Sequence, residues 1–176
     1  MRLILPLIAA PIIVLSACQE APKPQSSDVS FTLINSASED IGTVKLRDMG
    51  HEGVKLIVQA TQTPEGPHGI HFHVKADCRA PDFKSAGGHI NPEGHQHGLK
   101  NPDGPDNADM PNVVADETES LSYEYTNARV TLNERDDRPA LLDHDGSALM
   151  IHINADDQVT QPIGGAGARI ACAELK

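Results

Sequence analysis

The chain has no tryptophan, two tyrosines and three phenylalanines, so any core must be aliphatic. Basic residues are also scarce: 14 Lys and Arg stand against 25 Asp and Glu, for a net charge of -11. A phosphate backbone demands a basic face, so this balance argues against nucleic acid. It argues equally against an anion sink, unless a local positive site overrides the total. Amphipathic helical periods are missing from every window, which turns the fold away from packed helices. Only one long apolar run occurs, "LILPLIAAPIIVLSA" after Arg2, and Pro6 and Pro11 break it. That argues against a spanning helix.

That run has another reading. A basic n-region, an apolar h-region and small residues before a cut describe a secretory signal over residues 1–17. "LSAC" fits the bacterial lipoprotein variant, in which Cys18 is lipidated and becomes the first mature residue. Gln19 in place of Asp favours the outer membrane, giving a periplasmic or cell-envelope lipoprotein. Residues 18–28, "CQEAPKPQSSD", read as a flexible tether to the membrane. One domain follows, 29–176. With Cys18 set aside, Cys78 and Cys172 form an even pair in an exported protein, and a disulfide between them is the default expectation.

Within the domain, short segments alternate between apolar and polar residues: 29–34, 42–48, 54–61, 69–75, 112–116, 122–132, 148–154 and 168–175. Period two, with Gly, Pro, Asn and Asp between segments, predicts an antiparallel all-β sandwich or Greek-key barrel of about eight strands. Two connections stand out, 76–111 and 155–167. A loop as long as the first needs something to order it, and the candidates are the Cys78 disulfide and metal bound to its histidines.

"GPHGIHFHVKADC", residues 66–78, carries the chemistry. Residues i and i+2 of a strand share a face, so His71 and His73 project side by side, with Ile70, Phe72 and Val74 directed to the core. Alone, the pair reads equally well as surface histidines. "AGGHINPEGHQHG" adds His89, His95 and His97, "DNADMPN" adds Asp106 and Asp109, and "LMIHIN" sets His152 within another strand. Taken singly, His152 is as readily a core residue. Together, four imidazoles without thiolate suit Cu(II) better than Cu(I). His89, His97 and Asp109 offer a second, tetrahedral N/O site suited to zinc.

In these motifs, and in "GGAGARIACAEL", the chain from about residue 29 onward resembles the copper–zinc superoxide dismutases of exported bacterial type. The resemblance implies an eight-stranded antiparallel Greek-key β-barrel with two long active-site loops, converting superoxide to oxygen and hydrogen peroxide. It implies copper at His71, His73, His89 and His152, with His89 bridging as imidazolate to zinc and able to supply a proton. His97 and Asp109 match zinc ligands, and Asp156 the carboxylate linking a copper-side to a zinc-side histidine. Arg169 matches the arginine that attracts the anion, Cys78 and Cys172 the family disulfide, and His68 a structural histidine. One position departs: residue 106 is Asp where the resemblance implies His. A His2Asp2 site using Asp106, recruitment of His95, and a weak or empty zinc site are the alternatives. A copper-binding or copper-delivery lipoprotein would use the same histidines but leave Arg169 and Asp156 without purpose. Monomer or homodimer is left open.

Overall fold

The computed structural model describes residues 28–135 and 137–176. The signal, Cys18 and the tether therefore lie outside the described residues, except for Asp28, whose carboxylate pairs with Arg47 at 2.6 and 3.0 Å. Nine strands form one antiparallel sheet: β1 (Val29–Asn35), β2 (Asp40–Asp48), β3 (Val54–Ala60), β4 (Gly66–His68), β5 (Ile70–His73), β6 (Val113–Ala115), β7 (Leu121–Asn127), β8 (Ser147–His152) and β9 (Arg169–Leu175). Their spatial order is β4-β6-β7-β3-β2-β1-β9-β8-β5. The two ends of that order, β4 and β5, are separated in sequence by Gly69 alone. One stretch of chain thus serves both edges and brings the sheet nearly to closure. This removes the free edges that an open sheet would expose. It also explains why nine strands appear where eight are expected: the residues just before the expected 69–75 segment form a short strand of their own, β4, which pairs with β6, while β5 pairs with β8.

Alternation follows burial. Val44 and Leu46, Val54, Leu56 and Val58, Ile70 and Phe72, and Leu149 and Ile151 fill an aliphatic interior, as the shortage of aromatics requires. Two expectations fail. Val74 is 40% exposed, because β5 ends at His73 and the Val74 N–H turns away to the carbonyl of Gly88. The strand expected over 122–132 stops at Asn127, whose side-chain oxygen accepts the Arg129 N–H and bends the chain. Beyond it, Thr131 meets Ala140 in an isolated bridge.

The loop over 76–111 is tied down by a disulfide, a small apolar cluster and bridges to β5. Cys78 is joined to Cys172 on β9, 94 residues away. Phe83 and Ala86 pack with both cysteines on Ala148 and Met150 of β8, a small second core on the outer face of the barrel. Further along, the loop returns to β5. His89 pairs with His73, and Asp109 with His71, in single antiparallel bridges. Strand geometry is thereby extended from the barrel to the loop residues that matter most.

Candidate metal centre

His71 and His73 on β5 and His152 on β8 project from the outer face of the barrel wall, yet all three are buried because the loops cover them. His89 and His97 come from the covering loop. The five rings form one cluster, with centroids 4.3 Å apart for His71 and His89, 5.1 Å for His71 and His152, 5.2 Å for His73 and His89, and 5.3 Å for His89 and His97.

One nitrogen of each ring is held by an acceptor. His73 Nδ1 meets Gly87 O at 2.9 Å and His152 Nδ1 meets Gly167 O at 3.0 Å. His71 Nε2 and His97 Nε2 meet the two oxygens of Asp156 at 2.9 and 3.1 Å. His89 Nδ1 meets Asp106 Oδ2 at 2.9 Å. The other nitrogens make no hydrogen bond. Among the described residues, the buried side-chain polar atoms lacking a hydrogen bond are His71 Nδ1, His73 Nε2, His89 Nε2, His97 Nδ1, Asp109 Oδ1, His152 Nε2 and one remote atom, Thr63 Oγ1. Buried polar atoms are rarely left unpaired, so their concentration in one spot demands an explanation. Lone pairs converging from imidazole and carboxylate, each ring braced on its far nitrogen, suit metal ligation.

The donors form overlapping groups, among them His71 with His89 and His97, and His71 with His97, Asp109 and Asp156. His89, His97, Asp106 and Asp109 have ligand atoms all within 4.8 Å of one another, a compact N/O group fitting zinc. His71, His73, His89 and His152 make a wider set of imidazoles alone, fitting copper. His89 belongs to both. Asp106 lies inside this cluster, whereas His95 is exposed, its backbone tied to the Asn91 side chain.

The electrostatics differ between the sets. Burial holds His71 down to about 3 and His152 to about 4, and burial with the neighbouring His89 and Arg169 charges holds His73 well below its usual range. These rings are neutral donors at ordinary pH. His97 is opposite. Burial opposes its charge, but Asp109 and Asp156 on either side outweigh burial and raise it to about 10. Its Nδ1 stands 2.5 Å from Asp109 Oδ1, an ion-pair contact poorly directed for a hydrogen bond. Asp156 is depressed: burial raises it, and its bonds to His71 and His97 prevail.

Arg169 follows His152 across the β8–β9 ladder. Its guanidinium donates to Phe83 O at 2.7 Å and Gly87 O at 2.6 Å, so the loop fixes it at the rim of the cluster. His68 stands outside the cluster, its ring against the carbonyls of His152, Ile153 and Pro64 at 2.8, 3.0 and 2.6 Å, a brace between β4 and the end of β8.

Several residues that build the site carry no signal in sequence. The Asn112 side chain grips the N–H and C=O of Asp156, both at 2.9 Å, and Gln161 grips those of His97 in the same way. Gln158 donates to Asp156 Oδ2 at 2.8 Å and to Met110 O at 3.2 Å. Arg129 donates to the carbonyls of Asp106 and Asp109 from behind. Two glycines are forced by crowding. At Gly98, φ +115, a Cβ would lie 2.1 Å from Gln158 O, and at Gly164, φ +59, one would lie 1.6 Å from Asp156 Oδ1. Only glycine allows both that backbone and that approach.

A family model described as copper/zinc superoxide dismutase matches residues 41–175. The chain is 45% identical over 139 residues to the superoxide dismutase [Cu-Zn] of Caulobacter vibrioides, covering 78% of this chain and 79% of that one. It is 39% identical over 145 residues to superoxide dismutase [Cu-Zn] 2 of Aquifex aeolicus, covering 82% and 84%. Among solved structures, a SOD-like protein from Bacillus subtilis superposes with a TM-score of 0.81 at 32% identity, covering 85% of this chain and 100% of that one.

Proposed function

The chain belongs to the copper/zinc superoxide dismutase family, and we propose that it dismutes superoxide at copper held by His71, His73, His89 and His152. The observation that carries this is the convergence of unpartnered, buried imidazole nitrogens on one another. Copper held by these four histidines would supply the one-electron couple that dismutation of two superoxides and two protons to oxygen and hydrogen peroxide requires, and zinc held by His89, His97, Asp106 and Asp109 would supply a fixed charge beside it. The chain's own residues do the rest. His71, His73 and His152 stay neutral and so keep their lone pairs available. Asp156 ties the two sets together through His71 and His97. Arg169 counters the overall charge of -11 locally and draws the anion in. His89, shared by both sets, would supply a proton to the product when zinc holds its Nδ1.

The N-terminus reads as a lipoprotein signal with lipid on Cys18, holding the domain in the periplasm at the outer membrane. The Cys78–Cys172 disulfide supports an oxidising compartment. Fractionation tests this: Cys18→Ser should move the protein from membranes to the soluble fraction, and sedimentation of that variant decides between monomer and homodimer.

The decisive experiment is the dismutation rate of the purified chain loaded with copper alone, then with copper and zinc. Fast turnover is expected in both forms. Stoichiometric copper without turnover would leave a copper-binding lipoprotein and overturn the enzyme reading.

A further inference from the structure

Asp106 occupies the position where the resemblance implies a histidine, and its surroundings give that difference a consequence. A neutral imidazole carries a proton on one nitrogen and a lone pair on the other, and its neighbours decide which. His73 and His152 each face a backbone carbonyl through Nδ1, and His71 faces Asp156 through Nε2. Each acceptor calls for N–H on that side and leaves the lone pair pointing into the cluster. These three rings are set by the chain alone.

His89 has no carbonyl on Nδ1. Its partner is the Asp106 carboxylate at 2.9 Å. Asp106 is 3% exposed and firmly held. Its Oδ1 accepts the Ala108 N–H at 2.9 Å, and its own N–H donates to Asp109 Oδ2 at 2.9 Å. A carboxylate offers acceptors only, so with Oδ1 taken by Ala108 its Oδ2 commits His89 Nδ1 to N–H and turns a bare, buried Nε2 toward the other three rings. A histidine at 106 can donate as well as accept, so it would leave the tautomer of His89 to be settled by a second metal.

We propose that Asp106 is a positioning residue that fixes the His89 ring when zinc is absent, so that the four-histidine set is complete for copper without a second metal. This rests on reading the set as a copper site. With zinc present, the same carboxylate turns from hydrogen-bond acceptor to ligand.

The test uses the full chain stripped of metal. Cu(II) is titrated alone and after one equivalent of Zn(II), with affinity read by chelator competition and ligand geometry by electron paramagnetic resonance. The wild-type chain should bind one copper with one Cu(II) signal in either condition. D106A should weaken copper-only binding by about 10–100-fold, the usual cost of losing such a partner, and should split the signal. D106N keeps an amide oxygen as acceptor and should recover most of the affinity. D106H should show a heterogeneous copper-only signal that zinc sharpens to one. Thermal melts of the metal-free variants separate misfolding from repositioning, and the D106N and D106H comparison stands if D106A unfolds. A wild-type chain that needs zinc for a single signal, or a folded D106A matching it in affinity and spectrum, would overturn the proposal. Absence of dismutation by copper-and-zinc-loaded wild type would instead sink the enzyme reading and leave the role of Asp106 standing. Failure of the wild type to bind copper at all would overturn both.

Discussion

His71, His73 and His152 stand on β5 and β8, where ladder bonds and a packed interior fix each Cα, whereas His89, His97, Asp106 and Asp109 stand on the 76–111 loop. The strand half inherits its geometry from the barrel: Phe72 and Ile151, the immediate neighbours of these histidines, are core residues. The loop half has no such support. It is assembled from a disulfide, a small apolar cluster, two bridges to β5, and side-chain amides that grip single peptide units. A rigid wall can present three ligands by periodicity alone, while a loop needs a separate brace for each. The charge follows the same division. The wall histidines shed protons through burial, and His97, between two carboxylates, keeps one.

That division should be most visible in the pH dependence of the metal-free chain. For His71 and His152, with folded values near 3 and 4, the unfolded state binds more protons below about 6.5. Stability should fall as pH drops through this window, by on the order of 1.4 kcal/mol per pH unit for each proton. His97, raised to about 10, holds a proton that the unfolded chain releases above about 6.5. Its contribution is full below that value and is lost as pH rises toward 10. Urea titrations across pH should give a maximum near 6.5; stability that keeps rising through the alkaline limb would break the comparison.

Next in size is the staple. Cys78→Ser opens a link spanning 94 residues, for a loss of about 4–5 kcal/mol by loop-closure entropy. Hydrogen exchange should accelerate more over 79–90 than over β2 and β3, and uniform acceleration would show that the loop has no independent weakness. Phe72→Ala empties a fully buried site and should cost about 3–5 kcal/mol, with both halves melting in one transition. Asp156→Asn leaves one acceptor oxygen where His71 and His97 need two, and turns a donor toward one of the rings. Zinc affinity should drop by about 10–100-fold, and the Cu(II) spectrum should change because His71 loses its brace. The smallest change is Gln161→Ala, which frees the His97 backbone. It should cost about 1 kcal/mol, seen as weaker zinc binding with the Cu(II) signal unaltered.

Period two in "IHFH" and "LMIHIN" is a local property, because side chains of a strand alternate whatever the strand packs against, and so the antiparallel all-β class and the shared face of His71 and His73 were legible, while the choice of barrel over sandwich came from the resemblance. Local reasoning broke where chain geometry changed within a few residues. Val74 continues the alternation but sits past the end of β5, and 128–132 continues the β7 pattern after Asn127 has bent the backbone. The pairing of Cys78 with Cys172 was readable from their number and from the expectation of export, since only two cysteines remained once Cys18 was set aside.

From residue types and spacing alone came the all-β class, the candidate histidine and aspartate donors, and Asp at 106, with the choice between Asp106 and His95 left open. Those depend on residue type and spacing, which the chain carries locally. Which nitrogen of each ring is free was decided only by the tertiary structure. It depends on acceptors far away in sequence: Asp156 for His71, Gly87 for His73, Gly167 for His152. The same is true of Asn112, Gln158, Gln161 and Arg129, polar residues of unremarkable type whose effect lies in the peptide units they hold. A hydrogen bond to a backbone carbonyl leaves no mark on the identity of the residue that supplies it, so folding alone reveals it.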